Sequence, residues 1–333
     1  MISKNDFQKA IDLIEPTKNV LITTHARPDG DACGCVVAMT DALTALGKKV
    51  KPLMLSDIPQ WYEFLFDQKP PILDKDISID QIKQGELGEF DLIIILDTNS
   101  NNQLTDFAQI LEQNNKPVLI LDHHVTTDGL GDLELIDTSA SATAVIVFEL
   151  FKFAGWKINQ KVANALFAAI CTDTGWFQFN NTDSRSLRIC AELIDAGVNP
   201  TRMYHDMYQN FSAQRFALMT AMLDSLELHF DGRYATQYLL QSDFEKTGAN
   251  FNDTENLIDQ CRKIKTVEVA SLFVELPDNK IKVSLRSSGP VDVRKIAQKF
   301  NGGGHTKAAG IHMPAPIENA KKLIYDEVAK QLT

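Results

Sequence analysis

The chain has 333 residues, of which 44% are hydrophobic and 23% charged, and carries a net charge of −11. That composition excludes a disordered or fibrous protein and is enough for about two globular domains. No apolar run approaches the roughly 20 residues of a membrane span. An acidic chain with no basic stripe is also not one that grips long nucleic acid through its backbone, so any anionic ligand is expected to be small, or held locally by metal and a few cations.

In chain order, MISKNDFQKAIDLIEP has helical spacing over 5–15 and lacks the apolar core of a signal peptide, which predicts a cytoplasmic protein. Val20 to Thr24 form a short apolar strand that ends in HARPDGDACG, with His25, Arg27, Asp29 and Asp31. Pro28 and Gly30 hold that loop out of regular structure. From Ala32 to Leu46 the pattern is helical, with Gly47 as its stop. Strand, loop and helix therefore surround carboxylates, where a phosphate-binding loop would carry glycines and a lysine. Asp31 as the helix cap would account for Asp31, but not for His25 and Asp29.

Lys49 to Leu55 read as a second strand. The segment 56–90 is irregular, with Trp61, Tyr62, Phe64 and Phe66 expected in the core. DLIIIL, ending at Leu96, is a strongly apolar strand leading to Asp97. A helix follows near 103–114, and then VLILDHHV places Asp122, His123 and His124 at the end of an unbroken apolar run. Such runs are buried on both faces in parallel sheets, and ligands sit beyond their carboxyl ends. A short strand at 133–137, a helix starting within 139–143 and ending near Ala154, and another over 160–172 follow. The last of these delivers Asp173, an acid with nothing nearby in sequence to compensate it, whose simplest role is to reach a shared cation. Residues 183–196 are helical, and 212–225 form a helical connector. Beyond it lie a hairpin at Asp231-Gly232, strands over 267–276 and 280–287, a helix over 292–300, the run Gly302-Gly303-Gly304-His305, and a last helix over 316–331.

The five cysteines, Cys33, Cys35, Cys171, Cys190 and Cys261, are odd in number and lack CxxC spacing, so they read as buried thiols without assigned chemistry. The tips of several elements thus carry His25, Asp29, Asp31, Asp97, Asp122, His123, His124 and Asp173. Mixed carboxylate and imidazole donors suit Mn²⁺ or a similar ion better than zinc in a thiolate cage. So many groups exceed the needs of one ion, and a pair about 3.5–4 Å apart sharing one carboxylate is the economical solution.

The motifs HARPDGD, LDTN, LDHH and CTDTGWF, with NGGGHTKAAG near the end, resemble the DHH phosphoesterase superfamily. The last resembles its accessory DHHA1 domain, and the closest subgroup is the nanoRNase/pAp phosphatase (oligoribonuclease) family. The resemblance covers roughly 15–315. It implies an α/β protein with a larger N-terminal parallel-sheet DHH domain over 1–197, a helical linker over 198–226, and a smaller α/β DHHA1 domain over 227–333. It implies His25 and Asp29 as ligands of one metal ion, Asp31, His123 and Asp173 as ligands of a second, and Asp97 as their bridge. His124 would face the substrate phosphate, with Asp122 orienting the cluster. Arg27 would touch phosphate or balance the surrounding acids. In the accessory domain the match falls on Arg286, Ser287, Gly302, Gly303, Gly304 and His305, with Lys307 a weaker match. Consecutive glycines let backbone N–H groups close on an anion, although a flexible turn would also explain them.

The implied activity is metal-dependent hydrolysis of short RNA oligonucleotides to mononucleotides, and of 3′-phosphoadenosine 5′-phosphate (pAp) to AMP and phosphate. Two divalent ions, Mn²⁺ with Mg²⁺ or Co²⁺ as alternatives, would polarise the phosphoryl group. Linear or cyclic dinucleotides are the rival substrates, and no membrane partner is expected. A homodimer, the direction of degradation and the preferred substrate stay open. An inorganic pyrophosphatase of the superfamily would have a different second domain, and a long-DNA exonuclease would add domains and basic surface. A nucleotide sensor with a non-catalytic site would not need this many metal-site groups.

Overall fold

A computed structural model describes residues 1–332, apart from the side chain of His305. The chain forms two compact units, the first ending at Asn210 and the second beginning at Phe211. In the first, α1 (Lys4–Ile14), β1 (Asn19–Thr24), α2 (Gly30–Ala45), β2 (Lys49–Pro52), α3 (Ile79–Lys83), β3 (Leu92–Leu96), α4 (Ala108–Glu112), β4 (Val118–Asp122) and β5 (Leu133–Ile136) come first. They are followed by α5 (Thr143–Ala154), α6 (Gln160–Asp173), α7 (Ser184–Asp195) and α8 (Pro200–Tyr208).

The five strands form one parallel sheet in the order β2-β1-β3-β4-β5. Its apolar runs serve both faces, as their lack of alternation predicts. Val20, Ile22, Ile94, Leu96, Leu119 and Leu121 pack into the core that α1, α2, α5 and α6 share. Leu21, Ile93, Ile95 and Ile120 pack into a second core with Ile79, Ile82, Phe107 and Ile110. Among the helices, α2 and α6 approach closely. A Cβ at Gly34 would lie 2.4 Å from the Ala165 carbonyl oxygen and 2.8 Å from the Ala169 Cβ. Glycine is therefore required there, and the close approach brings the end of α6 beside the start of α2.

Some expectations change. Phe64 is exposed, and Leu65 is buried in its place. The helix expected near 103–114 is broken into turns at Asn101–Gln103 and Thr105–Phe107 before α4. Side chains compete with the backbone there: the Asp128 carboxylate accepts the Asn101 N–H, and Thr98 Oγ1 donates to Gln103. Thr105 also adopts φ 49°, which no helix continues through.

The second unit comprises α9 (Ala213–Asp224), β6 (Glu227–His229), β7 (Tyr234–Leu239), α10 (Gln241–Thr247), β8 (Val269–Glu275), β9 (Lys280–Ser287), α11 (Val293–Gln298), β10 (Gly303–His305), β11 (Ala308–Pro314) and α12 (Ile317–Leu332). Residues 198–226, read from sequence as a linker, hold α8 in the first unit and α9 in the second. The sheet order is β10-β11-β9-β8-β7-β6, antiparallel except between β7 and β8. Tyr234, Phe273, Val283 and Leu285 pack with residues of α11 and α12 on one face. Ala235, Leu239, Leu272 and Val274 pack with Leu218 and Met222 of α9 on the other. Among the described residues no helix is long and apolar enough to cross a membrane.

Candidate metal centre

In the parallel sheet, strand order reverses between β1 and β3, which opens a crevice at their carboxyl ends. His25 follows β1 and Asp97 follows β3; Asp122 ends β4, and His123 and His124 follow it. Asp29 and Asp31 flank the start of α2, and Asp173 is the last residue of α6.

Asp97 lies at the middle of the group. Its N–H still bonds the Leu121 carbonyl at 2.9 Å, but its φ of 63° turns the chain abruptly out of the strand. A non-glycine residue in that region costs on the order of 1 kcal/mol. The turn leaves the carboxylate 1% exposed with its two oxygens facing different partners. Oδ2 lies 3.4 Å from His25 Nε2, and Oδ1 lies 3.7 Å from His123 Nε2.

Both of those imidazoles are oriented by backbone. His25 Nδ1 lies 3.0 Å from the Ala26 carbonyl oxygen, and His123 Nδ1 lies 3.1 Å from that of Ala140. A carbonyl only accepts, so Nδ1 carries a hydrogen and Nε2 is the atom that each ring turns toward the carboxylates. His124 is turned the other way. Its Nδ1 lies 2.8 Å from Asp122 Oδ1, and that hydrogen is committed to Asp122. Asp122 Oδ2 is buried with no hydrogen-bond partner among the described residues.

The two acids of the first loop do unequal work. The cap of α2 is Asp29, not Asp31: its Oδ1 accepts the N–H groups of Asp31 and Ala32 at 3.0 and 3.1 Å. Asp29 therefore has a local structural reason as well as its place 4.0 Å from His25 Nε2. Asp31 is fully buried and caps a different helix. Its carboxylate accepts the N–H of Thr143 at 2.5 Å and of Ala144 at 3.0 Å, at the start of α5. The Cys35 thiol donates to Asp31 Oδ1 at 3.4 Å, so one cysteine does touch the cluster. His123 Nε2 stands 3.2 Å from Asp173 Oδ2 and 4.0 Å from Asp31 Oδ2.

Donor atoms thus gather as His25, Asp29 and Asp97, as Asp31, His123 and Asp173, and as Asp97, His123 and His124, each group within 4.8 Å. Four carboxylates at this spacing repel one another. Burial and then the Asp173 charge push Asp31 up to about 7, and burial and the Asp31 charge push Asp97 well up. Burial likewise raises Asp173. Burial would lower His123, but the Asp173 hydrogen bond and the Asp31 charge outweigh it and bring the ring to about 10. Acids this close hold protons unless a cation replaces them, and an oxygen-rich set with two inward Nε2 atoms, once their protons are displaced, fits divalent ions of the Mn²⁺ or Mg²⁺ kind. The Arg27 side chain is exposed; its φ is 58°, and its N–H donates to Ser56 Oγ at 2.6 Å.

Residues 19–170 match the profile of the DHH family, N-terminal domain, and residues 231–332 match the DHHA1 domain. The bifunctional oligoribonuclease and PAP phosphatase NrnA of Thermus thermophilus is 30% identical over 94% of this chain and 90% of its own length. The chain belongs to the DHH family. The NrnA of Bacillus subtilis is 29% identical over 92% of each chain. A crystal structure of an exopolyphosphatase-related protein from Bacteroides fragilis superposes with a TM-score of 0.90 at 25% identity, covering 99% of this chain and 97% of that one. An exonuclease RecJ crystallised with manganese shares the fold, with a TM-score of 0.56 at 14% identity over 99% of this chain and 95% of its own.

In the DHHA1 part of this DHH protein, the last two glycines of the run lie in a strand and not in a turn. Gly303–His305 pair antiparallel with Ala308–Gly310. Two of the glycines answer to packing. A Cβ at Gly302 would meet the Gly310 carbonyl oxygen at 2.4 Å, and one at Gly304, whose φ is 135°, would meet that of Ala308 at 2.4 Å. Gly303 alone faces open space. Register places His305, Ala308 and Arg286 in one row across β10, β11 and β9; the His305 side chain lies outside the described residues. Ser287 is buried, and its N–H bonds the Lys307 carbonyl at 2.9 Å, while the Lys307 ammonium holds the Gly289 carbonyl.

Sequence reading missed three neighbours. Arg262 donates to Asp259 at 2.8 Å and to Ser288 Oγ at 3.2 Å, and Asp259 also lies 3.8 Å from the Arg286 guanidinium. The third is Thr143, whose hydroxyl donates to Asp97. Asp259 and Arg262 have an i,i+3 spacing, but neither their approach to Ser288 and Arg286 nor the partners of Thr143 follow any local spacing.

Proposed function

We propose that this chain is a metal-dependent phosphoesterase that hydrolyses short oligoribonucleotides to mononucleotides, and pAp to AMP and phosphate. The observation that carries the reading is the division of donors on either side of Asp97. His25 and Asp29 lie toward its Oδ2, and His123 lies toward its Oδ1, with Asp31 and Asp173 behind. In the proposed site, His25, Asp29 and Asp97 hold one divalent ion, and Asp97, Asp31, His123 and Asp173 hold a second, with Mn²⁺ the best match to the donor set. When bound, the ions supply Lewis acidity to the phosphoryl oxygens and lower the pKa of water.

The chain's own groups do the rest. Asp122 keeps the His124 proton on Nδ1 and the ring fixed, so that this exposed imidazole meets the phosphoryl group. Arg27, exposed in the loop before α2, is available to a phosphate. Arg286, Ser287, Gly302, Gly303, Gly304 and His305 are the proposed substrate-binding residues of the DHHA1 unit, with Gly303 the position where an approaching group meets no side chain. The relatives' names, oligoribonuclease and PAP phosphatase, support this substrate class, and linear dinucleotides are its shortest members.

Purified protein with Mn²⁺ is to be assayed on 5′-labelled RNAs of graded length and on pAp. With a net charge of −11, kcat/KM is expected to peak at about two to five nucleotides and then fall, because long RNA adds repulsion without further cations. A flat or rising profile with length, or no turnover of either substrate, rejects the assignment.

A further inference from the structure

Two candidate ligands of the metal centre, Asp31 from the start of α2 and Asp97 from the end of β3, meet at a single residue. The Thr143 N–H donates to Asp31 Oδ2 at 2.5 Å, and the Thr143 hydroxyl donates to Asp97 Oδ1 at 2.8 Å. Thr143 is fully buried and is the first residue of α5. Its N–H is one of the donors that a helix start leaves unpaired, and Asp31 satisfies it. Ala142, which precedes it, supplies no side-chain cap. The hydroxyl contact is the shortest polar contact to the Asp97 side chain among the described residues, shorter than those to His25 and His123.

We infer that Thr143 is a positioning residue: it clips Asp31 and Asp97 at a fixed spacing, so that Asp97 keeps Oδ1 on the side of His123 and Oδ2 on the side of His25, each oxygen set to serve the metal ligands beside it. The inference rests on the two-ion reading above. Its physical basis is that a carboxylate has several lone pairs, and a donor occupying one of them determines which remain for a metal. Two linkages are separable. The backbone N–H survives any substitution except proline, so changing the side chain tests the hydroxyl alone while Asp31 keeps its cap.

The experiment is Mn²⁺ titration of the full chain, followed by calorimetry and by electron paramagnetic resonance, for wild type, Thr143→Val and Thr143→Ser. Wild type is expected to bind two ions with the exchange-coupled signal of a close pair. Thr143→Val keeps the shape and loses the hydroxyl. It should bind at least one ion about 10- to 100-fold more weakly, and the coupled signal should give way to that of single ions. Thr143→Ser restores the donor and should recover both. Circular dichroism checks that each variant folds, and Thr143→Ala replaces the valine variant if that one does not. Wild-type affinity and coupling in Thr143→Val, or equal losses in Val and Ser, overturn the inference while leaving the metal reading intact. Absence of Mn²⁺ binding by wild type overturns both.

Discussion

His124 Nδ1 stands 2.8 Å from Asp122 Oδ1, and the same oxygen accepts the His124 N–H at 3.1 Å. A fully buried carboxylate thereby holds an imidazole whose side chain is 43% exposed. Asp122→Asn replaces an acceptor by an amide that can present a donor, which frees the ring and its tautomer. We expect kcat to fall about 10- to 100-fold, with the Mn²⁺ stoichiometry kept. Loss of metal in step with activity would place Asp122 among the ligands instead.

Asp97→Ala should abolish hydrolysis and leave the fold intact. The acid sits beyond β3, whose strand pairing through Leu96 does not involve the side chain. Circular dichroism and turnover at saturating Mn²⁺ check the two halves of this expectation. Near-normal turnover removes the bridging role.

The metal-free protein should lose stability as pH rises. Asp31 is raised from 3.8 to about 7, chiefly by burial and then by the Asp173 charge, and Asp97 is raised by burial and then by the Asp31 charge. His123 is raised from 6.5 to about 10. In each case the folded chain keeps a proton that the unfolded chain has released, so unfolding free energy falls with pH across the window from about 4 to about 10. Acids shifted the opposite way, such as Asp137, act only below that window. Bound Mn²⁺ takes the place of these protons, so its gain in Tm should be larger at pH 8.5 than at pH 6. Thermal melts with and without Mn²⁺ at both values test this. Equal gains would mean that the ion does not displace protons from this cluster.

In the DHHA1 unit, Arg286 is held near Asp259 and lies on β9, far in sequence from the DHH motifs. Arg286→Ala should raise KM for oligonucleotides by about tenfold or more, the scale of one lost charged contact, and leave hydrolysis of a small chromogenic phosphodiester nearly unchanged. Equal losses on both substrates would assign Arg286 to the chemistry itself.

Sequence alone determined the parallel sheet and the acids and histidines at its carboxyl edge. Unbroken runs such as LIIIL and VLILD can be buried only between two layers, and the polar residues that end them are placed by chain direction. Tertiary structure decided how the donors are shared. Asp29, not Asp31, caps α2, because Asp31 is drawn to a helix start 112 residues away. Asp97 turns its two oxygens apart through a backbone angle that no periodicity reports. Gly303 to His305 became an edge strand, and Gly302 and Gly304 must be glycine because the Gly310 and Ala308 carbonyls approach too closely for a Cβ. Local pattern reads burial and direction, whereas these choices depend on contacts between distant segments, which exist only after the layers have packed.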